Sequence, residues 1–256
     1  MTTVLITGAS SGIGLALARR YAAERYDLVL AARSGPKLAD VARELSRVRV
    51  DTIVADLATP EGPAVVGTAV ARAAVAVDIL INNAGAGLHG PFTQTSLERE
   101  LELVQLNVAS VLELTKRLLP GMLTRRHGHV VNIASVAAFL PGPYQSVYYA
   151  TKAFVLSFSE ALAEELRGTG VGVTVVCPGP TATEFHAAAH VRRARPLSRG
   201  LFLTAEAVAE ATVRGVRARR RVVVPGLKHR LLVFAIQLAP RRLVTWASGL
   251  AGRPAD

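Results

Sequence analysis

A single cysteine, Cys177, among 256 residues excludes an internal disulfide and a cysteine-rich metal site. It stands at the end of an apolar run and reads as a small buried residue, in a protein suited to reducing, intracellular surroundings. Aromatic residues make up only 5% of the chain although half of it is hydrophobic. That leaves no series of aromatic platforms on which nucleobases could stack, and it fits a core of Val, Leu, Ala and Ile in parallel strands covered by helices. The opening "MTTVLITGASSGIG" lacks a basic segment followed by a long apolar stretch, so no secretory signal is expected and the cytoplasm is the expected location. The apolar "LLVFAIQLA" near the carboxyl end is far short of the about 20 residues needed to span a bilayer. No repeat or low-complexity linker divides the chain.

What is abundant is positive charge, and it is unevenly placed. Lys and Arg total 30 against 19 Asp and Glu, a net charge of +11. Residues 1–190 hold 16 of each sign, whereas residues 191–256 hold 14 basic against 3 acidic. A local basic region of this kind, with no groove-reading helix or aromatic platform beside it, does not point to nucleic acid. The length suits one large α/β domain, expected over residues 1–226, followed by a basic and apolar extension over 227–256.

Apolar runs alternate with helical patterns along the chain. Strands are expected at "TVLIT", "DLVLAA", "VRVDTIVADL", "VDILINNAG", "GHVVNIAS", "GVGVTVVCPG" and "RVVVPG". Between them the periodicity predicts helices near 12–24, 36–46, 60–75, 96–125, 144–167 and 205–217. Strands joined by helix-sized crossovers imply a Rossmann-like, doubly wound parallel sheet with helices on both faces. Ligands of such sheets bind beyond the carboxyl ends of the strands, where strand order reverses. "TGASSGIG", Thr7 to Gly14, follows the first strand and opens the first helix. Gly8 and Gly12 would let the backbone approach a pyrophosphate and Gly14 would allow close helix packing; a tight strand-to-helix connection is the alternative.

"VYYATKAF", residues 147–154, puts two tyrosines before a lysine. On a helix Tyr148 and Lys152 are i,i+4 neighbours and Tyr149 and Lys152 are i,i+3 neighbours, so spacing does not choose between the phenols. An ammonium beside a phenol favours the phenolate, which would tune it to move a proton. His186 and His190, also i,i+4, offer two metal ligands but no third, so no metal is expected.

"TGASSGIG", "NNAG" at 82–85, Asn107 in "LNVAS", Ser135 in "NIASVAA", "YYATK" at 148–152 and "PGPTAT" at 178–183 occur in the order of the short-chain dehydrogenase/reductase family, which the chain resembles over roughly residues 3–225. The resemblance implies Tyr148, first residue of Y-x-x-x-K, as the catalytic acid and base, with Ser135, Lys152 and Asn107 completing the set. For Asn107 the alternative is a helix amide bonding nearby backbone. A nicotinamide cofactor is implied, bound by Gly8, Ser10, Ser11, Gly12, Ile13 and Gly14, by Asp56 and Leu57 at the adenine, and by Asn83, Ala84 and Gly85 at the ribose. Tyr148 and Lys152 would also contact it, with Pro178, Gly179, Thr181 and Thr183 on the nicotinamide side. Asp56 has a second reading as a helix cap. The end of the second strand, "LAARSGPKL", lacks the acid that bonds a ribose 2′-hydroxyl and offers Arg33, so NADP is expected, with NAD the alternative; Arg33 could instead point into solvent.

The implied activity is interconversion of a small-molecule ketone and a secondary alcohol. Residues 186–203 and "RLLVFAIQLAPRRLV" look like the subgroup with long-chain 3-oxoacyl and hydroxysteroid enzymes, implying an apolar substrate. A cofactor-binding sensor or scaffold without turnover is the competing reading. Family members are often dimers or tetramers, so the extension would pack on the domain or a neighbouring subunit. As an amphipathic helix it could alternatively lie on a membrane surface.

Overall fold

Val, Ile and Leu fill consecutive strand positions because the sheet is covered on both sides. In a computed structural model describing residues 2–181 and 202–253, the strands are β1 (Thr3–Thr7), β2 (Asp27–Ala32), β3 (Val50–Val54), β4 (Ile79–Asn82), β5 (Gly128–Ile133), β6 (Val171–Val176) and β7 (Val222–Val223). They form one parallel sheet in the order β3-β2-β1-β4-β5-β6-β7, as the strand-helix alternation predicts. Every residue of β4 and β5 is buried, which explains apolar runs without alternation.

Helices α1 (Gly12–Ala23), α2 (Gly35–Glu44) and α7 (Ala205–Arg217) cover one face, where Val4, Ile6, Leu17, Leu38 and Val208 share a core cluster. Helices α3 (Gly62–Arg72), α5 (Ser110–Arg125) and α6 (Ser146–Glu165) cover the other around Leu5, Val66, Leu80, Leu114 and Leu162. Val4 and Ile6 point one way and Leu5 the other, the period-two alternation of a strand. Local signals start several helices: Ser34 Oγ accepts from the Lys37 amide before α2, and Thr204 Oγ1 accepts from the Ala207 amide before α7.

The predicted single helix over 96–125 is interrupted. It comprises α4 (Leu97–Val104), a π-turn (Gln105–Ala109) and α5. The π-turn carries one extra residue and contains Asn107, whose amide is bonded to neighbouring elements rather than left to helix periodicity. The carboxyl extension forms two helices, α8 (Leu227–Leu238) and α9 (Arg241–Gly252).

Gly14 fixes how closely α1 can approach the sheet. A Cβ there would lie 2.2 Å from the Gly8 carbonyl oxygen and 2.6 Å from Asn83 Nδ2. Gly14→Ala is therefore expected to destabilise the protein by about 1–3 kcal/mol, the cost of overpacking. Gly121→Ala, where a Cβ would meet only the flexible end of Arg125 at 3.3 Å, is expected to be neutral or to stabilise by about 0.5–1 kcal/mol. Denaturant midpoints of the two variants check this; equal shifts of the same sign would refute the close-approach account.

Candidate active site

The chain runs outward from β1 to β2 and β3, then returns to place β4 on the other side of β1. Connections on either side diverge above this pair and open a crevice at their carboxyl ends. Thr7 and Asn83 tie the two ends together. Thr7 Oγ1 accepts from the Asn83 and Ala84 amides at 3.0 Å each, and Asn83 Nδ2 donates to the Thr7 and Gly8 carbonyls at 2.8 and 3.3 Å. Gly8 and Gly12 have φ of +64° and +54°, which glycine adopts without strain. Ser10 and Ser11 are partly exposed, the Ser11 side chain caps no amide, and the first turn of α1 holds no acid. Main-chain donors and the positive end of the helix dipole thus face the crevice, suited to a phosphate. Ile13 packs against the core.

Deeper in the same crevice, Gly85 faces Asn107 and Lys152. A Cβ on Gly85 would lie 3.2 Å from Asn107 Oδ1 and 3.4 Å from Lys152 Nζ. Asn107 is buried; its Oδ1 accepts from the Ala86 amide at 3.1 Å and its Nδ2 donates to Ala86 O at 3.0 Å and Thr151 Oγ1 at 3.1 Å. These bonds join three elements, so the local-backbone reading of this asparagine does not hold.

Tyr148 lies in the first turn of α6, and its phenol is hydrogen-bonded with Ser135. Ser135 caps a short 3-10 turn, Val136–Phe139, its Oγ accepting from the Ala137 amide at 3.1 Å. Lys152, one turn after Tyr148, is only 5% exposed; its Nζ donates to Ile133 O at 3.0 Å and lies 5.9 Å from the centre of the Tyr148 ring. Tyr149 instead lies against Gly142 and meets the Tyr148 ring edge-on at 5.8 Å between centres. Geometry therefore separates the two phenols that spacing left equivalent.

The electrostatics correct one expectation. Burial pushes the Tyr148 phenol up to about 12, the Ser135 hydrogen bond pulls it down less, and Tyr149 adds to the rise, so the net shift is opposite to the one expected from a neighbouring ammonium alone. Burial also pulls Lys152 down to about 8, opposed by nearby Cys177. Desolvation penalises the phenolate and the ammonium alike, so it acts on both partners before their mutual attraction counts. The site holds a protonated phenol and an easily neutralised amine, a pair able to give and take a proton near neutrality.

Arg33, at the end of β2, has a side chain 75% exposed and 3.9 Å from Asp56. Asp56 Oδ1 accepts from the Ala58 amide at 3.0 Å in the turn that precedes α3, whose N-cap is Glu61, so Asp56 is not a helix cap; its Oδ2 faces Arg33. Leu57 is buried in the core. Pro178 O accepts from the Val136 amide, bringing the Pro178–Gly179 turn beside Ser135, and Thr181 Oγ1 donates to Gly179 O at 2.9 Å. Thr183, His186 and His190 lie outside the described residues, among which no metal-ligand cluster occurs. A cleft of about 400 Å³ lined by Arg167, Arg219 and Arg221 sits by the start of β6, away from the crevice.

Three participants escaped sequence reasoning. Thr7 and Thr151 lie inside the quoted motifs, and only their bonds reveal them as ties. His229 of α8 is buried against Gly179, where a Cβ would meet Nε2 at 2.1 Å; neither ring nitrogen has a hydrogen-bond partner among the described residues. No sequence signal links positions fifty residues apart in this way.

The sequence profile of the short chain dehydrogenase family matches residues 2–193. Ketoacyl reductase HetN of a Nostoc species is 33% identical over 87% of this chain and 77% of its own. Among solved structures, a short-chain dehydrogenase from Sphingobium yanoikuyae in complex with NADPH is 36% identical, with a TM-score of 0.83 over 93% of this chain and 94% of that one. A bulky-bulky ketone specific alcohol dehydrogenase from Comamonas testosteroni is 32% identical, with a TM-score of 0.78 over 93% and 92%. By this profile and these relatives, the chain belongs to the short-chain dehydrogenase family and is an oxidoreductase.

Proposed function

We propose that residues 1–226 form an NADP-dependent catalytic unit that interconverts a ketone and a secondary alcohol, with Tyr148 as general acid and base. The observation that carries this reading is the Tyr148–Ser135 hydrogen bond beside buried Lys152, within reach of the Gly85 cradle. When bound, the nicotinamide supplies or accepts the hydride. Reduction leaves negative charge on the carbonyl oxygen; Tyr148 donates its phenolic proton there and Ser135 donates a hydrogen bond to the same atom. Lys152 and Asn107 then offer groups through which the phenol is reprotonated. The first turn of α1 and the turn at Asn83–Gly85 would hold the pyrophosphate and ribose, and Thr181 and Thr183 the carboxamide side.

NADPH in the Sphingobium structure and Arg33 support NADP, with NAD as the second choice. An apolar substrate is supported by the Comamonas enzyme's specificity for bulky ketones and the ketoacyl reductase relative. Homo-oligomerisation is supported by exposed Leu97, Leu101, Leu112 and Phe154 on α4, α5 and α6. Nothing favours a non-catalytic sensor, and turnover of any ketone by pure protein would dispose of it.

Tyr148→Phe keeps the ring and removes the proton donor. Activity should fall about 10²–10⁴-fold, with NADPH binding retained by fluorescence titration, while Tyr149→Phe stays within a few-fold. The reverse ranking would show that the wrong phenol has been assigned.

The raised phenol sets the sign of the pH dependence. A group that acts protonated, with its pKa pushed up to about 12, remains competent through neutrality and is lost only as pH rises. For ketone reduction, kcat/KM should be level through neutral pH and decline on the alkaline side; alcohol oxidation, which uses the phenolate, should climb with pH. Reduction that accelerates in alkali would remove Tyr148 from this role.

Arg33→Asp replaces attraction for a 2′-phosphate by repulsion and adds an acceptor for a ribose hydroxyl. The ratio of kcat/KM for NADPH over NADH should drop by at least about 10-fold, one charge-assisted contact's worth. An unchanged ratio would mean that another residue reads the 2′ position.

A further inference from the structure

Helix α8 carries two apolar stripes. The inward one, His229, Val233 and the partly buried Ile236, packs on the domain. The outward one, Leu227, Leu231, Phe234 and Leu238, recurs at i, i+4, i+7 and i+11, and its members are 61–71% exposed. In α9, Leu243, Trp246 and Leu250 recur at i, i+3 and i+7 and are 50–66% exposed; no residue of this helix is buried. Residues 227–253 contain five basic side chains, Lys228, Arg230, Arg241, Arg242 and Arg253, and no Asp or Glu. No helix among the described residues is long and apolar enough to cross a membrane.

We propose that α8 and α9 together form a surface that docks, without spanning, on an anionic lipid bilayer. A core helix needs one apolar stripe; the second exposes leucines and aromatics to water unless something covers them. Charge selects the occupant. Pairing this face with itself across a two-fold axis would set Arg230, Arg241, Arg242 and Arg253 against the same four of a second copy, with no Asp or Glu among the described residues of α8 and α9 to offset them, whereas an anionic bilayer supplies apolar depth and opposite charge at once. Leu, Phe and Trp between Lys and Arg match a helix lying in the headgroup region. The seat beneath is defined: His89 Nε2 lies 2.9 Å from Gly252 O, and Gly249 and Gly252 rest against Pro143, shortly before the helix that bears Tyr148. Docking would bring the rim of the crevice to the lipid surface.

Flotation of the full chain with phosphatidylserine-containing and pure phosphatidylcholine vesicles tests this. The protein should float with the anionic vesicles at low salt, less at high salt, and little with phosphatidylcholine. Phe234→Ser combined with Leu238→Ser, and separately Arg241→Glu combined with Arg242→Glu, should each lower partitioning at least about 10-fold with thermal melting unchanged. The proposal fails if the full chain stays in the soluble fraction at low salt, or if it floats and the charge-reversed variant floats equally. It also fails if sedimentation without vesicles shows an oligomer that Phe234→Ser with Leu238→Ser dissociates, since a second copy would then cover the face.

Discussion

The bonds between Thr7 and Asn83 are the constraint on which the site rests. They join the ends of β1 and β4 where the sheet's order reverses, leaving a gap above that β-sheet pairing alone would not shape. Gly14 has to be glycine because α1 starts directly over this clamp, with the Gly8 carbonyl and Asn83 amide where a Cβ would go. The clamp thus sets the position of the helix N-terminus, and with it where main-chain donors point. On the far side, Asn107 repeats the device, its amide joining the Ala86 segment to Thr151 in α6. Two asparagines therefore bracket the crevice, each using its side chain as a replacement for absent strand pairing.

Burial then decides the chemistry. Lys152 reaches into a dry region and satisfies one donor on Ile133 O, while burial disfavours its charged form. Tyr148 experiences the same desolvation with the opposite result, its neutral form being the protonated one. Near neutral pH the pair is therefore a phenol beside an ammonium that lies close to its own titration. Negative charge appearing on a nearby oxygen would favour the ammonium further, coupling the lysine's proton to the state of the site. A solvated pair at the same spacing would gain little from proximity, because water screens both charges.

The sheet and its helices were legible because they follow from periodicity that burial on two faces enforces; the strands match the apolar runs and lose only ends such as Ala55–Leu57 and Cys177–Gly179, which belong to the crevice. The tyrosine-to-lysine spacing was legible only to an ambiguity. Resemblance, not helical geometry, singled out Tyr148, and the Ser135 bond supplies a physical reason. The π-turn was invisible because the helix propensity of "LVQLNVAS" continues through it, and the cause is a tertiary bond of Asn107. The reversed effect on the phenol was missed for a related reason. Charge neighbours can be counted along a sequence, whereas desolvation depends on everything packed around the group.

The extension shows where those two kinds of information part. Its sequence reads as apolar and basic, and both readings survive, but periodicity alone cannot say that α8 would bury the narrow stripe of His229 and Val233 and leave the richer one outside. A helix normally turns its larger apolar face to the core. Here the inward face must fit against Gly179, which admits the flat ring of His229 only because it has no side chain. Fit to that turn, rather than apolar area, fixes the rotation of α8. The same rotation presents Leu227, Leu231, Phe234 and Leu238 outward, so the geometry beside the crevice and the character of the outer surface are set by one contact.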